Sequence, residues 1–165
     1  MGPRPKAAAS AHLLDLASRG DETATGLFLH GTAISFGGKG VLFLGPSGSG
    51  KSSLALALMA HGALLVSDDG VFLTQVTDAP HRLKRPQTAP QLIEARGIGL
   101  LHSGPLASHA ALDLVVDLGQ VEPERLPPDR RAEWKSQTCR LILGKDQPFL
   151  WAYLLQTLKA GVAVS

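Results

Sequence analysis

The fold is decided by the stretch Gly45-Pro46-Ser47-Gly48-Ser49-Gly50-Lys51-Ser52. This stretch matches the pattern G-x-x-x-x-G-K-[ST] at every fixed position. An apolar run, Val41 to Leu44, precedes it, and a run rich in leucine and alanine follows it as far as Ala60. A buried strand, a glycine-rich loop and a helix, in that order, are the context that the pattern requires. The sequence therefore predicts an α/β fold with a phosphate-binding loop between a strand and a helix.

The residue types of this loop suit phosphate binding. Glycines let the backbone turn tightly and aim its N–H groups inward, and the positive end of the next helix adds to the field. A lysine can reach the β- and γ-phosphates of a nucleotide, and a serine hydroxyl can bind Mg²⁺. We therefore predict that ATP or GTP, with Mg²⁺, binds the residues from 45 to 53, namely Gly45, Pro46, Ser47, Gly48, Ser49, Gly50, Lys51, Ser52 and Ser53.

Two adjacent carboxylates, Asp68 and Asp69, end the next apolar strand, which begins at Leu64. Ligands of open α/β sheets bind at the carboxyl ends of strands, so both carboxylates would face the phosphates if the two strands are parallel neighbours. One could hold the metal, and the other could accept a proton from an attacking hydroxyl. The alternative is a solvated Ser-Asp-Asp-Gly turn. His30 lies in an earlier strand, where a single histidine is more often structural than functional.

Composition and charge limit the classes of protein to which this chain can belong. A chain of 165 residues with a net charge of +2 fits one domain over residues 1–165 and gives no argument for nucleic acid. No apolar run approaches the roughly 20 residues of a membrane span. The one cysteine, Cys139, suits a reducing compartment and resembles an ordinary core residue. We therefore expect a cytoplasmic protein without a membrane or nucleic-acid partner.

The rest of the chain is predicted to form a mixed β-sheet with packed helices. We predict an amphipathic helix over residues 10–19, a polar connection over residues 21–26 and a basic loop over 79–90. We also predict a β-hairpin whose strands, 27–36 and 41–44, are joined by Gly37-Gly38-Lys39-Gly40. Residues 149–159 should form a closing helix with a core face of Leu150, Leu154, Leu155 and Leu158. The aromatic residues Trp134, Trp151 and Tyr153 are interpreted as packing residues.

Three segments together resemble the catalytic domain of HPr kinase/phosphorylase. They are residues 30–31 with 40–52, residues 62–71, and residues 93–101, which contain Glu94-Ala95-Arg96-Gly97-Ile98-Gly99. The last is similar to that family's signature of an acidic residue, a spacer and Arg-Gly-aliphatic-Gly. The resemblance covers roughly residues 27 to 120. It is closest to the short form of the family known from proteobacteria. It implies the fold that HPr kinase shares with PEP carboxykinase.

The resemblance implies an activity and a partner. Members of this family transfer the γ-phosphate of ATP, with Mg²⁺, to a serine of HPr, the phosphocarrier of the sugar phosphotransferase system, and many also catalyse phosphorolysis of the phosphoserine. It also implies roles for the matching positions. Asp69 would be the proton acceptor, and Asp68 would belong to the metal shell or orient a partner; Lys51 would bind phosphate, and Ser52 and Glu94 would bind magnesium. His30 would be the active-site histidine, and Arg96 and Gly97 would be signature positions.

The chain departs from the family pattern in two places. Ser53 stands where the family usually has Glu or Asp, and the later Pro-Val-x-x-Gly-Arg motif is replaced by Leu143-Gly144-Lys145-Asp146. The family's late arginine therefore has only Lys145 and Arg140 as candidates. Two other functions stay open: a P-loop kinase for a small molecule, and a nucleotide-binding regulator with little catalysis. A homo-oligomer also stays open, since longer relatives assemble as hexamers.

Overall fold

The structure is a computed structural model, which describes residues 12–163. Within this range the chain forms a 3-10 helix, Leu16–Arg19, and two α-helices, α1 (Lys51–Met59) and α2 (Leu150–Ala160). The strands of the same range are β1 (Leu13–Asp15), β2 (Gly20–Thr23), β3 (Gly26–Leu29), β4 (Thr32–Phe36), β5 (Lys39–Leu44), β6 (Leu64–Ser67), β7 (Val71–Thr74), β8 (Arg82–Lys84), β9 (Leu92–Ala95), β10 (Gly99–His102), β11 (His109–Asp117), β12 (Arg131–Trp134) and β13 (Gln137–Leu143).

Eleven of these strands form one curled, mixed sheet. Its main path runs β1-β12-β13-β11-β8-β7-β3-β2, and a branch runs from β11 through β5 and β4 to β6. The branch exists because β11 pairs with three strands: β8 at residues 109–111, antiparallel, β5 at residues 111–117, parallel, and β13 at residues 114–117, parallel. The mixed α/β fold predicted from the sequence is confirmed. Strands β9 and β10 form a separate hairpin.

The core lies on both faces of the central strands. In β5, Val41 and Phe43 pack in a cluster with the two α-helices, whereas Leu42 and Leu44 pack in a second cluster between the limbs of the curled sheet. All four side chains are at most 2 % exposed. This two-sided burial explains why the strand is apolar at every position, as the sequence predicted.

The helix predicted over residues 10–19 is wrong for the part that the structure describes. Residues 13–15 form β1, which pairs in parallel with β12, and a short 3-10 turn follows, capped by Asp15. Leu16 is 1 % exposed, so this turn inserts a single leucine into the core instead of presenting a helical apolar stripe. Pairing with β12, a distant strand, outweighs the local helical periodicity. Residues 10 and 11 lie outside the described range.

The basic loop predicted over 79–90 contains β8. Its central residue, Leu83, is fully buried between Leu73 of β7 and Ala110 of β11, so it completes the sheet. The predicted hairpin is confirmed as β4–β5, with positive φ at both Gly37 and Gly38 as a tight hairpin turn requires. Its turn is shorter than predicted, since Lys39 and Gly40 belong to β5, and the strand predicted over 27–36 is two strands, β3 and β4, with different partners.

The closing helix is also confirmed, since the four leucines of its predicted core face are buried. Among residues 12–163, no helix is long and apolar enough to cross a membrane.

Candidate active site

The glycine-rich loop joins the end of β5 to the start of α1, as the motif predicted. Gly45, Gly48 and Gly50 all have positive φ, at 148°, 81° and 100°. A Cβ on Gly45 would lie 2.6 Å from the Ser49 hydroxyl oxygen, and the Ser49 N–H donates to the Pro46 carbonyl at 3.0 Å. The loop is therefore a tight turn that only glycine allows at these positions.

The side chain of Lys51 folds back over this loop. Its ammonium group donates to the carbonyl of Gly45 at 2.7 Å and to the carbonyl of Pro46 at 3.1 Å. The positive charge is thus held above the N-terminal end of α1, where an anion would meet both the charge and the free N–H groups.

Asp68 is the centre of a small hydrogen-bond network. Its Oδ1 accepts from the Ser52 hydroxyl at 2.7 Å and from the Thr32 hydroxyl at 2.8 Å, and its Oδ2 accepts from the Glu94 N–H at 3.2 Å. The loop helix, strand β4 and the β9–β10 hairpin are therefore joined through one carboxylate.

Sequence reasoning missed Thr32. The sequence argument depended on the condition that β5 and β6 are parallel neighbours. They run parallel, but β4 lies between them and is antiparallel to both. Thr32 begins β4, opposite the end of β5, and is fully buried. No local signal marks it, because its position depends on which strand fills the gap.

Asp69 has a different environment from Asp68. It is exposed and adopts the left-handed conformation, with φ of 58°, within a turn closed by a hydrogen bond from the Ser67 hydroxyl to the Gly70 carbonyl at 2.5 Å. Nonglycine residues reach this conformation at a cost, and such residues are concentrated at functional sites. This turn directs Asp69 toward the phosphate loop, so that Asp69 lines the same cavity as Asp68.

The signature segment forms the β9–β10 hairpin. Glu94 and Arg96 both line the cavity, and a Cβ on Gly48 would lie 3.4 Å from an Arg96 guanidinium nitrogen. Arg96 therefore lies over the phosphate loop. Gly97 is at the turn of the hairpin with φ of 82° and does not line the cavity.

The predicted site residues divide between two cavities that share the loop as a wall. A cavity of about 280 Å³ contains the charged groups, and it is lined by Thr32, Ser47, Gly48, Gly50, Lys51, Ser52, Ser53, Asp68, Asp69, Glu94 and Arg96. Pro46 and Ser49 instead line a cavity of about 840 Å³ on the other side of the loop. Gly45 lines neither cavity, but its carbonyl accepts a hydrogen bond from the Lys51 ammonium group.

His30 lies beside the aspartate turn but does not line the 280 Å³ cavity. It follows Leu29, which pairs with Val71, and its ring makes an edge contact with Phe28 at 5.1 Å. Phe28 in turn packs against Phe72 at 5.2 Å and approaches Gly70. The aromatic cluster of Phe28, His30 and Phe72 therefore supports the turn that carries Asp69.

The two candidates for the late arginine are far apart. Lys145 lines the 840 Å³ cavity, opposite the phosphate loop. Arg140 pairs with Leu114 and Arg131 in the sheet and lines a separate groove together with Lys39. Of the two, only Lys145 lies beside the loop.

Asp117, which sequence reasoning did not single out, anchors the floor of the site. It ends β11 opposite Leu44, the last residue before the loop, and it is fully buried. Burial by itself would raise the pKa of this carboxyl, but hydrogen bonds from Arg19, Gly119 and Gln120 and the charge of Arg19 outweigh it and lower the pKa. Asp117 therefore remains ionised and holds the segment from 118 to 120 beside the loop.

Oxygen groups suitable for magnesium come together in the smaller cavity. Ser52 and Asp68 are in direct contact and Glu94 is adjacent. Among residues 12–163, no group of three or more His, Cys, Asp or Glu could hold a metal by itself. Magnesium commonly binds one or two carboxylates together with substrate phosphates, so this donor set fits it.

Comparison with known families identifies the domain. A family model described as the HPr Serine kinase C-terminal domain matches residues 21–141. The chain belongs to this family. The match includes the loop, both aspartates and the β9–β10 hairpin, and so covers every part of the smaller cavity.

Curated relatives of the family are longer than this chain. A protein named HPr kinase/phosphorylase from Caldicellulosiruptor bescii is 39% identical over 103 residues, which are 59% of this chain and 33% of that protein. Another of the same name, from Aromatoleum aromaticum, is 34% identical over 142 residues, or 79% of this chain and 45% of that protein. The chain thus spans between a third and a half of the length of these relatives.

The fold of the family is also found in a solved structure. The Hpr(Ser) kinase/phosphatase from Coxiella burnetii superposes with a TM-score of 0.67 at 24% sequence identity, covering 80% of this chain and 88% of that one. This structural similarity indicates that the two proteins share the curled mixed sheet.

Proposed function

We propose that this chain is an ATP- and Mg²⁺-dependent serine protein kinase that phosphorylates the phosphocarrier HPr in the cytoplasm. The observation that carries the proposal is the shared cavity of about 280 Å³, in which the phosphate loop, Asp68, Asp69 and Glu94 meet. Membership of the family supports the choice of HPr as the acceptor. The name of the curated relatives, HPr kinase/phosphorylase, also includes a phosphorylase activity. In that reaction inorganic phosphate, in place of ADP, would take the phosphoryl group from the phosphoserine and form pyrophosphate.

The loop and Lys51 bind the phosphates. The backbone N–H groups at the start of α1, the ammonium of Lys51 and the guanidinium of Arg96 surround the loop with positive charge. Phosphoryl transfer needs alignment and charge neutralisation more than covalent catalysis, and these groups supply both.

Asp69 is the proton acceptor in this proposal. The serine oxygen of HPr attacks the γ-phosphorus, the bond from that phosphorus to the β-phosphate oxygen breaks, ADP leaves, and Asp69 takes the hydroxyl proton. Its exposure suits a group that must meet a protein substrate, whereas the three hydrogen bonds to Asp68 suit an orienting role. Proton transfer by a positioned side chain contributes about 10²–10⁴-fold.

Ser52, Asp68 and Glu94 would hold the magnesium ion. When bound, the ion would neutralise negative charge on the phosphates. The Thr32 hydroxyl donates to the same Asp68 oxygen as the Ser52 hydroxyl and so keeps this carboxylate oriented.

We also propose that the chain forms a single domain. Strands β4, β5, β6 and β11 contribute residues to both core clusters, so the two clusters share one set of central strands. A boundary within residues 12–163 would have to cut through these strands.

The test is transfer of labelled γ-phosphate from ATP to purified HPr, with Mg²⁺ and with EDTA, alongside HPr that lacks its acceptor serine. We expect magnesium-dependent label that is lost without that serine, and release of it by excess inorganic phosphate. Asp69→Asn should lower transfer at least about a hundredfold while ATP still binds.

Asp78→Asn is the matched control for this variant. Asp78 is also an exposed aspartate with positive φ, at 55°, but it lies in a groove away from the cavity. Label on HPr that persists in Asp69→Asn would refute the role of Asp69. Bound ATP without any transfer to HPr would refute HPr as the acceptor.

A further inference from the structure

The two cavities beside the phosphate loop differ in size and chemistry. Ligand pockets in proteins are usually about 300–1,000 Å³. The charged cavity, at about 280 Å³, is too small for a whole nucleotide, whereas the cavity on the other side of the loop has about 840 Å³. A nucleoside triphosphate whose phosphates occupy the first therefore needs a second place for its nucleoside.

The loop and the first turns of α1 form the common wall. Ser47, Gly48, Gly50 and Ser53 line both cavities, so a ligand can pass from one to the other across the loop. One turn further along the same helix, Ala57 lines only the larger cavity, while Lys51 and Ser52 line only the smaller one.

The larger cavity has an apolar interior. Leu54, Ala57, Leu118 and Leu150 contribute aliphatic groups, and Trp151 adds an indole ring. The sequence suggested that Trp151 only packs, but it is 38% exposed, and its ring is stacked on His61 with centroids 5.2 Å apart. The stack holds the indole beside the cavity, where a flat aromatic base would have apolar contacts.

The mouth of this cavity carries polar groups. Lys145 and Asp146 are exposed, and neither side chain has a hydrogen bond or an ion pair with the described residues. The Lys145 N–H donates to the Gln120 carbonyl at 3.0 Å and the Gly144 N–H to the Asp117 carbonyl at 2.9 Å. The segment is thereby fixed to the strand end that Asp117 anchors, so its side chains are held at the cavity.

We propose that the nucleoside half of the nucleotide binds in this larger cavity, between the phosphate loop and the segment from 144 to 151. The base lies against the aliphatic wall and Trp151, and Lys145 and Asp146 provide the polar contacts. This inference rests on the proposed phosphate site.

The test separates nucleoside binding from phosphate binding. Affinities for ATP and for inorganic tripolyphosphate, both with Mg²⁺, are measured by calorimetry on the full chain. Ala57→Phe fills the larger cavity, and we expect it to weaken ATP about tenfold or more while tripolyphosphate binds as before. Ala60→Phe is the matched control, because Ala60 is an exposed residue at the end of the same helix and lines neither cavity.

A second measurement uses the intact cavity. Trp134 is only 3% exposed and distant in the fold, so a change in tryptophan emission on adding ATP should come from Trp151. We expect ATP to change the emission, tripolyphosphate not to, and Trp151→Phe to lose the response.

Equal ATP affinity in the native chain and in Ala57→Phe, or equal affinity of the native chain for ATP and tripolyphosphate, would overturn the nucleoside site and leave the phosphate site standing. Failure of the native chain to bind either compound would overturn both proposals.

Discussion

Three separate parts of the chain donate hydrogen bonds to the Asp68 carboxylate. Two hydroxyl groups, from Thr32 and Ser52, share its Oδ1, and a backbone N–H reaches Oδ2. A hydroxyl that binds metal through an oxygen lone pair can keep donating its proton to the carboxylate, and the buried Thr32 hydroxyl can donate to the same oxygen whether or not metal is bound. Asp68 thus retains a fixed orientation in either state, and Thr32 is a positioning residue.

Thr32→Val should weaken binding of Mg²⁺-ATP about tenfold, because partners of this kind orient metal-binding carboxylates. Its free energy of unfolding should fall by only about 1 kcal/mol, since valine keeps the shape of threonine. Calorimetry gives the affinity and urea unfolding gives the stability. Thr74→Val, in β7, is the control for loss of a hydroxyl outside the site. Unchanged metal dependence in Thr32→Val would contradict a positioning role.

Asp117→Ala should lower the free energy of unfolding by about 2 to 3 kcal/mol, because it removes the buried partner of Arg19, which remains partly exposed. The pKa of Asp117 is lowered in the folded state, so its contribution is present above the ordinary value of 3.8 and is lost as the pH falls below it. The difference between native and variant chains, from urea unfolding, should therefore shrink below that pH.

The control for this prediction is Asp129→Ala. Asp129 also pairs with an arginine, at 3.2 Å, but both side chains are largely exposed, so the change should be less than about 1 kcal/mol. Equal effects of the two substitutions would contradict the anchoring role of Asp117.

The loop and α1 act as one element, because the loop glycines set the direction in which the helix begins. Gly50 is the N-terminal cap of α1 and has φ of 100°, but a Cβ there would meet nothing within 4 Å. Gly45, by contrast, has both positive φ and a close neighbour in Ser49. The two positions therefore separate backbone strain from steric overlap.

Gly50→Ala should cost about 1 to 2 kcal/mol of unfolding free energy from the backbone conformation alone. Gly45→Ala should cost more, because its Cβ also overlaps the Ser49 hydroxyl at 2.6 Å. Urea unfolding of the two variants side by side checks the order. An equal or reversed order would mean that the loop relaxes to accommodate the methyl group.

At the scale of the whole molecule, the N-terminal segment belongs to the fold although the family match begins only at residue 21. Strand β1 pairs with β12, Leu16 fills the core, and Arg19 binds Asp117. These contacts join the first described residues to the strand end beside the phosphate loop.

A chain that starts at residue 20 should therefore lose about 4 kcal/mol or more of unfolding free energy, because it lacks the buried Leu16 and leaves the buried Asp117 without Arg19. Thermal and urea unfolding measure the loss. A chain that starts at residue 12 keeps every contact of the described structure and isolates the effect of residues 12–19. Equal stability of these two truncated chains would contradict an integral role for β1.

The smaller cavity was partly predictable, because its parts are short motifs. The loop string, Asp68-Asp69 and the Glu94–Arg96 segment each have a recognisable local pattern, and the structure brings all three together. Thr32 and Asp117 were not predictable in this way. Each gains its role from a neighbour across the sheet, and a buried threonine or aspartate has no distinctive local sequence.

Local patterns in the sequence were enough to predict the phosphate loop with its glycines, the apolar central strand, the amphipathic closing helix and the family. These follow from short-range backbone preferences and the spacing of apolar residues. These patterns did not predict that β4 separates β5 from β6 or that β8 and β1 join the sheet. Nor did they predict that Lys145 and Trp151 lie in the cavity beside the loop. Such pairings join residues far apart in the chain, and their free energy depends on burial in the assembled core, which no local pattern records.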